Sequence, residues 1–475
     1  MVNKRKIVIR FVFVFAMLVS ISLIAYAAFS HDSEKKREEA LATIQKPASI
    51  IFYERLIAKR SGIQLDGPIA NEEVEGTPYA GLSDTEIEER LDMWAGLLER
   101  HDAELKADEE WQAVVEILKK PAEALTSEEW ALMTRQAQVH EDLILAIRAA
   151  AGRGGPVYPM DHAQPYEADG PHLARMREFA RLLSVHSSVS GKAEEYDEAA
   201  EDIVAILNLE MAMNGEGLII NALVRGALRV IAIDTIAESF AARRMSPEIT
   251  NRLFQRLSTL NDRNNFREAL IGETILGIAV FEYVRTTGWS MARNKEFKKG
   301  GVVAASLRSF LLLIERPAFI PMFDLDESAF VECMDRLIRA ALLPYNERTE
   351  IVESLEEYID ELPEARKLTP ILFPALIRAL TAQARHEAQT DVTRLGIAVE
   401  DWYREHGSYP DSLQQIAYWF DGELPLDPFT GDAYRYVVSD DSFVLYSLGV
   451  DIEDDGGRHD LVDGDIVWRG VEETN

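Results

Sequence analysis

Residues 83–105 read SDTEIEERLDMWAGLLERHDAEL, and Ile87, Leu91, Trp94, Leu98 and Leu105 recur at intervals of three, four and seven. That spacing places all five on one stripe of an α-helix, which must be buried against a partner. Ser83 and Glu86 stand three apart at the start of the run, the arrangement in which each side chain satisfies the other's backbone amide. The same grammar extends along the chain. Thr126 and Glu129 form a second capping box, and Ser246-Pro247 and Thr369-Pro370 each read as an N-cap followed by proline at the first helical position. Helices are expected over 34–62, 83–119, 127–150, 171–189, 193–213, 217–243, 247–259, 263–287, 302–315, 327–343, 347–360 and 370–406, with no alternating strand before residue 430.

These segments show no fixed repeat, so the expected class is mainly α, an irregular helical array built as a solenoid or as bundles. Two stretches interrupt it. Residues 152–170, GRGGPVYPMDHAQPYEADG, read as a linker, and 288–301, GWSMARNKEFKKGG, form a basic loop. The expected organisation is an N-terminal segment 1–30, a helical region 31–151, the linker 152–170, a second helical region 171–369, and a long helix with a small C-terminal domain over 370–475.

The 475 residues carry 50 Lys plus Arg against 81 Asp plus Glu, a net charge of −31. Such a surface repels phosphates, so nucleic acid is not expected as a partner. It favours solubility or the collection of cations. One cysteine, Cys333, excludes an internal disulfide and reads as a buried small apolar residue. No phosphate-binding loop, nucleophile elbow or paired-histidine zinc motif occurs. His101, His140, His162, His172 and His186 are scattered and read as structural, and Asn214-Gly215-Glu216-Gly217 reads as a turn between helices.

The N-terminus reads as an address. Lys4, Arg5, Lys6 and Arg10 precede FVFVFAMLVSISLIAYAAF at 11–29, nineteen residues without a charge. As a helix they would span about 28 Å, close to the hydrocarbon thickness of a bilayer. The basic flank keeps the N-terminus in the cytoplasm, so contact with the membrane is expected through residues 7–29 and the bulk of the chain is expected outside the cytoplasmic membrane, in the periplasm. Ala25-Tyr26-Ala27 leaves open the alternative of a cleaved signal peptide and a secreted protein.

The last 75 residues change character. Gly407 and Pro410 end the long helix, Ala433–Val438 and Ser442–Ser447 read as a hairpin about a polar turn, and Asp465–Trp468 reads as a third short strand. Between them lies DIEDDGGRHDLVDGD at 451–465, seven of whose fifteen residues are acidic. Concentrated carboxylates repel, so an ordered loop of this composition needs a cation, and glycine-punctuated aspartates suit Ca2+. A solvated acidic tail is the alternative reading of the same residues.

Tyr403, His406-Gly407, Tyr409-Pro410, Leu413, Leu424-Pro425, Asp427-Pro428-Phe429, Gly431, Tyr434, Tyr436, Tyr446-Ser447-Leu448-Gly449, Asp451, Gly456-Gly457 and Asp465-Ile466 stand in that order. In this order the segment at about 385–468 resembles the globular domain of the major pseudopilin of type II secretion systems (GspG-type). The resemblance implies a small α+β domain with an antiparallel sheet and a calcium ion in the last loop. Carried over, the ligands would be the Leu448 carbonyl, Asp451, Asp463 and Asp465, with Asp460 competing because it lies at about the family's offset from Asp451; the loop is a few residues longer here, which leaves the distal ligands open. The aromatic after Asp-Pro, commonly Trp in that family, is Phe429. The apolar N-terminal segment lacks the family's Gly-Phe processing junction and its glutamate, and more than 330 residues separate it from the last helix. Polymerisation as a pilin is therefore not expected.

The resulting expectation is a non-enzymatic, membrane-anchored extracytoplasmic protein. Its role would be interaction or scaffolding, linked to type II secretion or pilus-like assemblies, with protein partners and a calcium-binding loop. A hydrolase with its site in the helical array and a calcium-dependent surface adhesion protein are the alternatives.

Overall fold

The computed structural model describes residues 35–468 apart from 36, 43, 76, 121, 162–169, 242–245, 261, 288–319, 363–367, 440–441 and 459–463. The apolar segment 11–29, the basic loop 288–301, the expected helix 302–315 and His162 lie outside the described residues. So do Asp460 and Asp463. Among the described residues no helix is long and apolar enough to cross a membrane.

The described chain is mainly helical with one small sheet. The helices are α1 (Ala48–Arg60), α2 (Asp84–Arg100), α3 (Glu109–Ile117), α4 (Ser127–Val139), α5 (Glu141–Arg153), α6 (His172–Lys192), α7 (Tyr196–Ala212), α8 (Ile219–Ala241), α9 (Pro247–Ser258), α10 (Asp262–Thr287), α11 (Ile320–Ala340), α12 (Tyr345–Asp360) and α13 (Leu368–His406). Both capping boxes form reciprocally, Ser83 with Glu86 and Thr126 with Glu129. Ser246 accepts from the Ile249 amide, with Pro247 in the first turn. Thr369 differs from its expected role as an N-cap. It lies inside α13, and its hydroxyl donates to Asp326 Oδ1 at 2.7 Å, so α11 rather than the local backbone takes its hydrogen bond.

The expected helix 83–119 is three pieces, because the chain passes through a π-helical turn at His101–Leu105 and is capped anew by Asp108. The Asp108 carboxylate accepts from the amides of Glu110 and Trp111, which starts α3 in a new direction. The run 127–150 likewise divides at His140, and Pro47 starts α1 within the expected 34–62.

The strands β1 (Arg435–Val438), β2 (Phe443–Ser447) and β3 (Ile466–Val467) form an antiparallel sheet in the order β1-β2-β3. Val437 faces Val444 across the hairpin, and Tyr446 faces Val467. The sheet and the 3-10 segment Leu413–Phe420 both pack on α13.

Helix α6 packs on α7 and α8, and α8 packs in turn on α13. One apolar core therefore runs from Trp94 and Trp111 through Phe179, Leu207 and Leu228 to Leu395, Leu445 and Trp468. A second core joins α10, α11, α12 and the start of α13 around Phe330, Met334, Leu355 and Phe373, and Cys333 is buried within it as expected. The helix that carries the sheet is thus also a central helix of the array.

Candidate functional site

The C-terminal loop begins where β2 ends, and its root is tied down by Asp427. That side chain is almost wholly buried. Its Oδ1 accepts from the Phe429 amide at 3.0 Å and from the Ser447 hydroxyl at 3.0 Å, and its Oδ2 accepts from the Leu448 amide at 3.1 Å. Burial pushes the Asp427 carboxyl up, and these hydrogen bonds oppose the shift. The Asp-Pro turn and the loop root are thereby joined through one carboxylate. In the sequence Asp427 stands only as part of the Asp-Pro-Phe motif, since nothing local announces a partner twenty positions away.

Beyond Leu448 the loop folds back over the sheet. Asp454 Oδ1 accepts from the Tyr446 hydroxyl at 2.8 Å, and Arg435 stands 3.7 Å from Oδ2. The Tyr446 hydroxyl is pushed up to about 12 by desolvation and by the Asp454 carboxylate beside it. Gly457, at φ 77°, lies so close over the sheet that a Cβ there would meet Val444 Cγ1 at 2.3 Å. Asp454 therefore holds the loop to the sheet, a role the sequence did not disclose.

Asp465 closes the loop. The residue is fully buried, and its Oδ2 accepts from the Gly457 amide at 2.8 Å. Its Oδ1 is buried with no hydrogen-bond partner among the described residues. Burial raises its pKa, and the fields of Asp455, Asp454 and Asp451 add to the rise while the Gly457 amide opposes it. A buried carboxylate oxygen with no donor, facing the field of further carboxylates, is chemically suited to a hard cation.

Of the five residues expected as ligands, Leu448 sits at the buried root, Asp465 closes the loop, and Asp451 lies on the exposed bend with its own Oδ1 accepting from the Glu453 amide at 3.1 Å. Asp460 and Asp463 belong to the stretch that is not described. Among the described residues no group of three His, Cys, Asp or Glu side chains converges on one point. Among the expected ligands that are described, Asp465 is the one with a buried carboxylate oxygen that no described group pairs.

The helical array holds buried charge that the sequence did not reveal. His172 Nε2 lies 2.9 Å from Glu216 Oε2, which also accepts from Asn221 at 2.5 Å. Asp202 accepts from Arg148 Nε at 2.7 Å and lies 2.6 Å from His186 Nδ1. Glu210 is paired with Arg229, whose Nε donates at 3.1 Å. His101 and His140 stand beside Asp102 and Asp108. The four described histidines of the expected set thus each face a carboxylate within the fold. The cavities beside Glu210 and Glu216 measure about 30 Å3 and 10 Å3, room for single waters rather than a sugar ring.

No family model, curated protein or solved structure matches this chain. The pseudopilin resemblance accordingly rests on the order of its motifs.

Proposed function

We propose that this chain is a non-enzymatic interaction protein of the cell envelope. Residues 7–29 would anchor it in the cytoplasmic membrane, and the helical array with its pseudopilin-like C-terminal domain would be presented outside the cytoplasm. Its partners would be proteins of type II secretion or pilus-like assemblies. The observation that carries the reading is the buried Asp465 Oδ1, which has no donor among the described residues, in an acidic loop that meets a three-stranded sheet. In this reading Ca2+ supplies the missing positive charge, and Asp465, Asp451 and the Leu448 carbonyl hold it. The bound ion would order the loop and so fix the outer surface of the domain. Two aliphatic side chains, Val437 and Val444, stand exposed there as a cross-strand pair beside the loop. Such a pair gives a partner an apolar contact whose rim the loop defines.

Calorimetric titration of Ca2+ into the full-length protein in detergent tests this directly. One saturable site is expected, with a rise in melting temperature, and both should be lost in Asp465→Ala and weakened in Asp451→Ala. Absence of heat and of any thermal shift would remove the metal and leave the pseudopilin-like reading on the order of its motifs alone. Cross-linking in envelope preparations, with and without chelator, then tests whether assembly proteins are captured in a calcium-dependent way.

A further inference from the structure

The strands lie in the order β1-β2-β3, so β1 is an edge of the sheet. The register decides which of its backbone groups point away from β2. The Ser439 amide donates to the Ser442 carbonyl at 2.8 Å, which makes 439 and 442 a hydrogen-bonded pair. Such pairs alternate along an antiparallel ladder, so the next ones are Val437 with Val444 and Arg435 with Tyr446. The Trp468 amide donates to the Leu445 carbonyl at 2.9 Å, which agrees, because Leu445 then faces β3. The amides and carbonyls of Tyr436 and Val438 therefore point outward from the edge. Among the described residues none of these four groups has a hydrogen-bond partner.

Sheets commonly blunt such an edge with lysine, proline or a bulge. Strand β1 reads Arg435-Tyr436-Val437-Val438, without lysine or proline, and its register with β2 is unbroken. Val437, in the middle of the edge, is 60% exposed and stands opposite the exposed Val444. The edge is thus open in hydrogen bonding and apolar on its outer face. Its side chains alternate between the two faces, so Tyr436 lies on the other one. There the Tyr436 hydroxyl donates to the Pro410 carbonyl at 2.9 Å. Burial first, and then the charges of Tyr409, Asp411 and Glu400, push that hydroxyl up, which places the Asp411 carboxylate in reach of this face.

Charge decides what can lie on the edge. From Gly407 to Asn475 the chain carries sixteen Asp plus Glu against three Arg and no Lys. Arg435 and Arg458 each already face an aspartate, Asp454 and Asp455. Asp411, Asp421, Glu423, Asp432, Asp451 and Glu453 are exposed and make no ion pair among the described residues. A second copy of the edge would bring two domains of the same strong charge together, which opposes self-pairing. A basic segment is attracted instead.

We propose that the edge of β1 takes up an extended basic segment of a partner protein as a fourth strand. Aliphatic side chains of that segment lie beside Val437 on the outer face, and lysine or arginine side chains lie toward Asp411 on the other. This deepens the interaction role proposed above and rests on it. With only two residues offering outward backbone groups, the binding is weak and reversible.

The probe is a short fluorescent peptide of alternating valine and lysine, titrated into the full-length protein in detergent with saturating calcium and followed by anisotropy. It should bind at one saturable site, weaken as salt is raised, and bind more tightly than the same peptide with glutamate in place of lysine. N-methylation of alternate peptide amides keeps the charge and removes ladder donors. Methylating one alternate set should weaken binding about tenfold, and methylating the other set should not. Val438→Pro, which removes an outward amide, should abolish binding. If that variant lowers the melting temperature, Val437→Lys, a change at an exposed side chain, replaces it and should also abolish binding. No saturable binding, equal binding of both methylated peptides, equal binding of the glutamate peptide, or unchanged binding in the folded edge variant would each overturn the assignment. So would a dimer of the protein that dissociates in the edge variant, since a second copy would then occupy the edge. If the peptide fails while cross-linking still captures assembly proteins, the edge falls and the interaction role stands.

Discussion

Asp465 is buried as a carboxylate whose charged form is disfavoured, and this sets the sign of its effect on stability. Its folded-state pKa lies above the ordinary carboxylate value, so the folded protein gains from this group as pH falls through that raised value and loses at neutral pH. Asp465→Asn removes the penalty. Without calcium, its melting temperature at pH 7 should exceed that of the natural protein, and with saturating calcium the order should reverse. Asp102 has the opposite sign. The Arg175 guanidinium, and after it His101, hold its carboxyl well below the usual range. Its contribution is present above the ordinary carboxylate pKa and is lost as pH falls through the depressed folded value. Urea titrations should therefore show Arg175→Gln to be destabilising at pH 7, by no more than about 1 kcal/mol for so exposed a pair, with the difference shrinking toward pH 2. The Glu210–Arg229 pair is a harsher case because both side chains are buried. Arg229→Met leaves the Glu210 carboxylate with Arg225 alone, 3.8 Å away, and should cost about 3 kcal/mol in chemical denaturation.

At the scale of elements, α13 is shaped by what lies against it. Its residue 396 is glycine because the Trp468 ring, just after β3, occupies the space a side chain would need. A Cβ at Gly396 would meet Trp468 Cδ2 at 2.3 Å. Alanine is the better helix former by about 1 kcal/mol, so an isolated α13 peptide should gain helicity from Gly396→Ala. The intact protein should lose about 1–3 kcal/mol, since the ring must be displaced from the core. Circular dichroism of the peptide and thermal melts of the protein check the two halves of that statement. Helix α8 meets α13 through a similar approach, where Gly226 admits the His386 ring. Helix α3 exists as a separate element because of one cap, and Asp108→Ala should lower stability by about 1 kcal/mol.

For the whole molecule, the continuous core from Trp94 to Trp468 couples the sheet to the helical array. Phe254 of α9 packs edge-on against both Trp419 and Phe420 of the 3-10 segment. Removing everything after His406 would expose Phe254, Leu395 and their neighbours to water. Hydrogen exchange should then show lost protection in α8 and α9, far from the deletion in sequence. For the same reason calcium should shift the melting of the array together with that of the sheet, and calorimetric melting should show the two moving as one transition.

Periodicity and capping chemistry are local, and they were legible in the chain alone. The stripe Ile87–Leu105, the boxes at Ser83 and Thr126, the hairpin about residues 439–442 and the buried Cys333 follow from side chains a few positions apart. Asp465 was legible as an acidic loop residue because composition and motif order point there. Its buried oxygen, without a donor among the described residues, was not, because burial depends on where Gly457 and the sheet come to rest. The tie between Asp427 and Leu448 and the Glu216–His172 and Glu210–Arg229 pairs all join residues distant in sequence. Short-range pattern carries no information about which distant polar group will supply a hydrogen bond. Desolvation of a charge is likewise set by the packing of the completed core. The sequence by itself determined a mainly helical chain with a small antiparallel sheet and an acidic loop, since backbone periodicity and turn chemistry act over a few residues. Only the tertiary structure decided that α13 serves both array and sheet, and which carboxylates lose their water, since both depend on contacts that close across hundreds of residues.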